Sequence, residues 1–428
     1  MKKVAFFIVI LFFTIKTLAQ AEPSGYAAAV NRFTQFYNHD KPDSIFSMFS
    51  PEMKADLPLE KFKPTTEQLK SQYGSLVKTE FVKYGGSLAV YKATFENSVF
   101  LLNISLNAQH KLTGLLLSPY QESAPQGAVI DPSLTESPVL VKTLTGSVSG
   151  SLVVPNNVSG KIPVVLIIAD AGPTNRDGNN PKAGINGNTY KLMANSLGKN
   201  GIATLRYDKR FTGSSVTTVK ESQLSIEDYS DDAVSLINML NDDPRFSKIV
   251  LFGHGEGSLV AMIASIDEPI KAFISAEGAG DQADKMLTEQ MKSKTPFIAG
   301  EFKAILDSLR KGKTTANVDP ALYYIAAPSK QHFLMSWCAL VPQRGMKRMK
   351  MPAMIINGST DLQMTVDNAE KLKKAKSDAT LLIIPGMNHI LKDAAADPDQ
   401  NTATFSKPDL PLKPELVIAI VDFINKLK

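Results

Sequence analysis

A single cysteine in 428 residues has no partner within the chain, so no intramolecular disulfide holds this fold together. Cys338 lies in the apolar run LMSWCALVP with no histidine beside it, and is expected as a packed thiol, not a nucleophile. The five histidines are scattered and form no Cys/His cluster at metal-ligand spacing, so no metal is expected. The glycines after VVLIIAD do not follow G-x-G-x-x-G, which removes the dinucleotide fingerprint, and no cofactor is expected. Charge of one sign is scarce too. The formal net charge is +5, and without Lys2, Lys3 and Lys16 it falls to +2, too small an excess to argue for nucleic acid or an anionic membrane surface as partner. No apolar run reaches the roughly 20 residues of a spanning helix.

The N-terminus has a different pattern. MKKVAFFIVILFFTIKTLAQA joins a basic start, an apolar run broken by Lys16, and small residues at Ala19 and Ala21, the layout of a secretory signal peptide over residues 1–21. The expectation is an exported protein, periplasmic or extracellular, with no stable membrane anchor once the signal is removed. No cysteine near the cleavage point offers a lipid attachment site.

Residues 22–120 predict a small α+β domain. YAAAVNRFTQFYN and TTEQLKSQYGSL have helical spacing, and β-rich segments with turn signals then run to Tyr120, favouring an antiparallel sheet. QESAPQGAVIDPSLTESP reads as a linker over residues 121–137. From residue 138 to 428 strands alternate with helices: IPVVLIIAD, IATLRYD, SKIVLFG, IKAFISAEG, PAMIING and ATLLIIPG are the strands. This alternation predicts an α/β fold with a doubly wound, mostly parallel sheet, and the helical stretch at about 281–346 is expected as a cap.

LFGHGEGSLV, residues 251–260, joins a buried strand to a small-residue helix through a glycine-rich turn, the setting in which G-x-S-x-G presents a serine nucleophile. Here the central residue is Gly255, which carries no side chain. The partners such a nucleophile needs are present in the right chain order: Asp361 follows PAMIING, and His389 follows ATLLIIPG. Ser258, one turn beyond the vacancy, is expected to pack against the sheet. Arg206, Asp208, Lys209 and Arg210 are expected as a structural ion-pair network, and QRGMKRMKM as a solvated end of the cap.

From about Val139 onward the chain resembles an α/β-hydrolase of the secreted bacterial esterase or acyl-peptidase-like branch, through ADAGPTNRDGNN, YDKRF, GHGEGS, STDLQ and GMNHILK. The N-terminal region resembles a small module of unknown function found ahead of such hydrolases. The resemblance implies hydrolysis of a carboxylic ester or related acyl bond, and as ligand a small acyl ester or peptide-like molecule. It also implies an oxyanion hole from the backbone N–H groups of Glu256 and the Ala171 region. The departures from the family pattern are Gly255 for serine, Asp170 and Ala171 for glycine and serine, Asn175 for aspartate, and Phe211 for glycine. Several replacements in the loops of one site read as drift after selection for catalysis relaxed, and the expectation is an impaired hydrolase. Two alternatives remain: an active ester or peptide hydrolase in which His389 activates water or another nucleophile serves, and a binding or scaffold protein acting through its N-terminal domain.

Overall fold

The computed structural model describes residues 22–85, 87–97, 99–119, 129–292 and 294–428. The expected signal peptide and the first part of the expected linker, 121–128, lie outside them. The chain divides into two compact units, Met1–Ser123 and Ala124–Lys428.

In the first unit four helices, α1 (Ser24–Asn38), α2 (Pro42–Ser47), α3 (Pro51–Asp56) and α4 (Leu59–Tyr73), precede β1 (Leu76–Gly85), β2 (Leu88–Phe95), β3 (Val99–Leu106) and β4 (Leu112–Pro119). The strands pair antiparallel in the order β1-β2-β3-β4. One stripe of α1, Tyr26, Ala29, Val30, Phe33 and Tyr37, shares a core with alternate residues of β2 and β3 such as Tyr91, Ala93, Phe95, Leu102 and Ile104. This is the period-3.6 against period-2 pattern that buries one face of each element. Unforeseen were α2 and α3, each of which starts at a proline that suits the first helical turn.

The second unit runs β5 (Leu134–Thr143), β6 (Gly146–Pro155), β7 (Ile162–Ile168), α5 (Thr189–Lys199), β8 (Ala203–Tyr207), β9 (Val216–Thr217), α6 (Ile226–Asp242), β10 (Phe246–His254), α7 (Glu256–Ala264) and β11 (Ala272–Ala276). Helices α8 (Ala283–Met291), α9 (Pro296–Leu309), α10 (Tyr323–Ala326), α11 (Gln331–Ala339) and α12 (Pro342–Arg348) fill the interval expected as a cap. Then come β12 (Ala353–Gly358), α13 (Val366–Ala375), β13 (Thr380–Ile384), α14 (Pro398–Ala403) and α15 (Pro414–Asn425). Strand β5 begins inside the stretch expected as linker, because Leu134 pairs with Pro155 and packs with Val153 and Ala194.

The sheet order is β13-β12-β11-β10-β7-β8-β6-β5, with β9 on β6. From β13 to β8 every pair is parallel, and β6 pairs antiparallel with both of its path neighbours. The sheet is therefore mostly parallel, as the alternating pattern predicts. It is covered on both faces: α5 and α15 bury Tyr190, Met193, Leu416 and Ile420 on one, while α6, α7 and α13 bury Leu236, Val260 and Leu372 on the other. The helices between β11 and β12 share the second of these cores through Met286, Phe302, Leu334 and Trp337. The chain order reverses beside β10 and β7, and the loops leaving their carboxyl ends form the natural place for a site.

Candidate functional site

The glycine-rich turn after β10 is shaped by close backbone approach. A Cβ at Gly253 would lie 2.5 Å from the Gly257 carbonyl oxygen, and one at Gly257 would lie 2.2 Å from that of Ile168, so both flanking glycines are demanded by backbone that cannot move aside. Gly255 is different. It holds φ 52° and ψ −118°, a conformation costly for any side chain, yet the nearest atoms to its missing Cβ belong to a side chain, the Asp170 carboxylate, with Oδ1 at 1.8 Å and Cγ at 2.5 Å. The space a nucleophile would need is occupied by Asp170.

Asp170 follows β7 directly, two residues past Ile168. Its Oδ1 accepts the Glu256 N–H at 3.0 Å, and its Oδ2 accepts Nε2–H of His389 at 2.9 Å. On the other side of the ring, Nδ1–H of His389 donates to Asp361 Oδ2 at 2.7 Å. The structure brings Asp361, His389, Gly255 and Glu256 together around the Asp170 carboxylate. Ala171 joins them through its backbone N–H, which helps hold Asp170 ionised.

Charge is fixed by these contacts. Burial alone would lower the His389 pKa, but the Asp361 and Asp170 carboxylates outweigh it and lift the ring to about 10. Burial would raise both carboxylates, and the imidazolium between them holds each below its ordinary value. At neutral pH the arrangement is anion, cation, anion. An imidazolium donates from both nitrogens and has no lone pair for a proton. In this arrangement His389 Nε2 points at the Asp170 carboxylate.

Three further side chains set this geometry, and sequence pattern alone did not single them out for it. His254 is buried, and burial drives it down to about 4, so its ring is neutral. It receives the Tyr190 O–H on Nδ1 at 2.8 Å and donates Nε2–H to the His389 carbonyl at 2.7 Å, while the Asp170 N–H donates to the Tyr190 oxygen at 3.0 Å. This chain of hydrogen bonds ties the backbones of Asp170 and His389 to one another. Glu277, fully buried with φ 49°, accepts the Gly358 N–H at 2.8 Å; burial and then the charge of Asp361 push its pKa well above the carboxylate range, leaving it neutral. The only hint was a glutamate straight after the strand AFISA.

The remaining expectations concern support. Lys209 pairs with Glu256 at 2.8 Å, both side chains buried, donates to the Asp170 carbonyl at 3.0 Å and lies 4.3 Å over the Tyr229 ring. Arg210 pairs with Asp232 and Asp228, Arg176 with Asp208, and Arg206 with Glu136 and Asp177. The charged group at the end of β8 therefore braces loops through four separate sets of pairs. Ser258 is buried and shares a 2.7 Å hydrogen bond with Ser275, away from His389's partners. Burial pushes the Cys338 thiol up to about 12, which makes it a poor nucleophile. Phe211, in place of a glycine, takes φ 63° and is about half exposed. Among the described residues no group of three or more His, Cys, Asp or Glu side chains could hold a metal ion, and no helix is long and apolar enough to cross a membrane.

Residues 30–115 match a family described as a protein of unknown function, DUF3887. No curated protein matches the sequence. Among solved structures, the chain is similar to the esterase Est1E from Butyrivibrio proteoclasticus with ferulic acid bound, at 15% identity over 68% of this chain and 98% of that one, TM-score 0.45. It is similar to the hypothetical protein PA2218 from Pseudomonas aeruginosa, at 16% identity over 74% and 100% of the two chains, TM-score 0.46. A bromoperoxidase from Bacillus anthracis is 16% identical over 68% and 100%, TM-score 0.43. Similarity at these levels assigns no activity, and what the site can do is argued from its own atoms.

Proposed function

We propose that this chain is an exported relative of carboxylic ester hydrolases in which the acid–histidine pair has become an ion-paired structural core and acyl transfer no longer runs. The observation that carries this reading is the 2.9 Å contact between Asp170 Oδ2 and His389 Nε2, beside a glycine with no oxygen to activate. Loss of the serine in a comparable triad costs about a millionfold in turnover. The usual residue, roughly a thousandfold over water, comes from the oxyanion hole and substrate binding, and here that hole holds an anion of the chain's own. A water route through His389 is disfavoured because the ring is already protonated on both nitrogens.

The test is ester hydrolysis by the purified mature chain, with p-nitrophenyl acetate as substrate and a fluorophosphonate as active-site probe. The expected result is no covalent label and no turnover above that of a His389→Ala variant. Turnover at the rate of a working esterase that vanishes in His389→Ala would refute the proposal.

A further inference from the structure

Both oxygens of Asp170 are received by donors: Oδ1 by the Glu256 N–H and Oδ2 by His389 Nε2–H, with the Ala171 N–H adding to what keeps the carboxylate ionised. We propose that these groups form a carboxylate-binding site, and that the chain fills it with its own Asp170 as a tethered ligand. The inference rests on the reading that acyl transfer is lost, and it names what the site holds instead.

Three observations support it. The fit is steric as well as ionic: the Asp170 carboxylate passes within 1.8 Å of where a Gly255 Cβ would stand, so it could not take this pose beside a serine. The tether is itself fixed, since the Asp170 N–H is held by Tyr190 and its carbonyl by Lys209. The site also faces outward in part, because the Asp170 side chain keeps 19% exposure while the His389 and Asp361 side chains keep 2% and 0%. A tethered group has a high effective concentration, so free acids at ordinary concentrations do not displace it, and the native chain is closed to them.

Removing the tethered ligand should open the site to a free one. The probe is acetate, added to full-length mature Asp170→Ala, with the His389 ring titrated by NMR. The ring also faces Asp361, His254 and, behind Asp361, Glu277, none of which the substitution removes. In the native chain the ring should titrate at about 10, with no effect of acetate. In Asp170→Ala the midpoint should fall by a unit or more, and acetate should raise it again, saturably, in about the millimolar range that suits so small a ligand. Acetate should bind at least tenfold more tightly to this variant than to the native chain. Asp170→Asn keeps the volume and removes the charge, so its His389 midpoint should also fall, with no response to acetate.

A folded Asp170→Ala with no saturable response to acetate overturns the proposal. So does acetate binding equally to the native chain. If Asp170→Ala does not fold, Asp170→Asn decides: an unmoved His389 midpoint overturns the proposal, and a fall of a unit or more upholds it. None of these readouts uses ester turnover, so a native chain that hydrolyses esters would sink the proposed function and leave this measurement intact.

Discussion

The elbow side of the site and the loop after β13 each bury an imidazole, His254 and His389, with ring centroids 5.1 Å apart and a tilt of 32°. Burial acts on both in the same direction. His254 meets a hydroxyl and a carbonyl and stays neutral, with a pKa of about 4; His389 meets two carboxylates and stays charged, at about 10. Depth alone therefore does not set the protonation state of a buried histidine. The neighbouring formal charges do, and the two carboxylates of Asp361 and Asp170 together keep His389 charged at neutral pH.

The comparison breaks most visibly if Asp170 is neutralised. Asp170→Asn leaves His389 with Asp361 alone, and breaking a buried ion pair by removing one partner typically costs about 3–5 kcal/mol. Urea unfolding at pH 7 should show a loss of that order, and the His254 titration should move down, because the Asp170 charge also raises that ring; a loss under about 1 kcal/mol would mean that Asp170 is not a buried partner of His389. Somewhat smaller is the cost of returning a side chain to the elbow. Gly255→Ser puts a Cβ 1.8 Å from Asp170 Oδ1 and at a positive φ, with an expected loss of about 1–3 kcal/mol and no fluorophosphonate label. In the double variant Asp170→Gly, Gly255→Ser the clash is gone. Relative to Asp170→Gly alone the serine should then cost little, a coupling of about 1–3 kcal/mol. Label should appear only in the double variant, whereas label on Gly255→Ser alone would mean that Asp170 yields readily.

The pH dependence sharpens the same contrast. His389 has a folded pKa raised above that of a free histidine, so its contribution is fully present below about 6.5 and is lost as pH rises toward 10. Between pH 6.5 and 8 stability should fall by up to about 1.4 kcal/mol per unit. Above 8 the buried Lys392, lowered to about 8 by desolvation, works in the opposite sense, because the unfolded chain then holds the extra proton. Between pH 4 and 6.5 His254 makes stability rise with pH, for its folded pKa is depressed. Glu277, whose folded pKa is raised, opposes His254 below pH 6.5, so thermal melts should stay nearly level there and fall above it, and in Asp170→Asn that fall should become less steep; an unchanged slope would remove His389 from the account. The smallest expected effect lies at Phe211. Its positive φ costs about 1–2 kcal/mol for a side-chain-bearing residue, partly offset by the entropy glycine loses on folding, so Phe211→Gly should gain at most about 1 kcal/mol in urea.

Much of this was legible in the sequence for physical reasons. Period and alternation predicted the two units and the parallel sheet, and chain order picked out Gly255, Asp361 and His389 as neighbours. The placement of Asp170 was not legible: its carboxylate lies between the Glu256 N–H and His389 Nε2–H. Nothing in the local run ADAG says where a carboxylate will point. The available clue was relational, since the space beside a glycine at 255 is filled by the side chain at 170. His254, Tyr190 and Glu277 escaped because their roles depend on hydrogen bonds that span 64, 135 and 81 residues.

Gly253 and Gly257 lie where helix and strands come closest, and their constraint comes from carbonyl oxygens that every copy of this joint possesses whether or not it performs chemistry. A pattern search that rewards those two glycines is detecting a hinge pin of the architecture. The two glycines are thus demanded by the joint whatever chemistry its turn supports, and its mutational record should show those two positions frozen while position 255 varies.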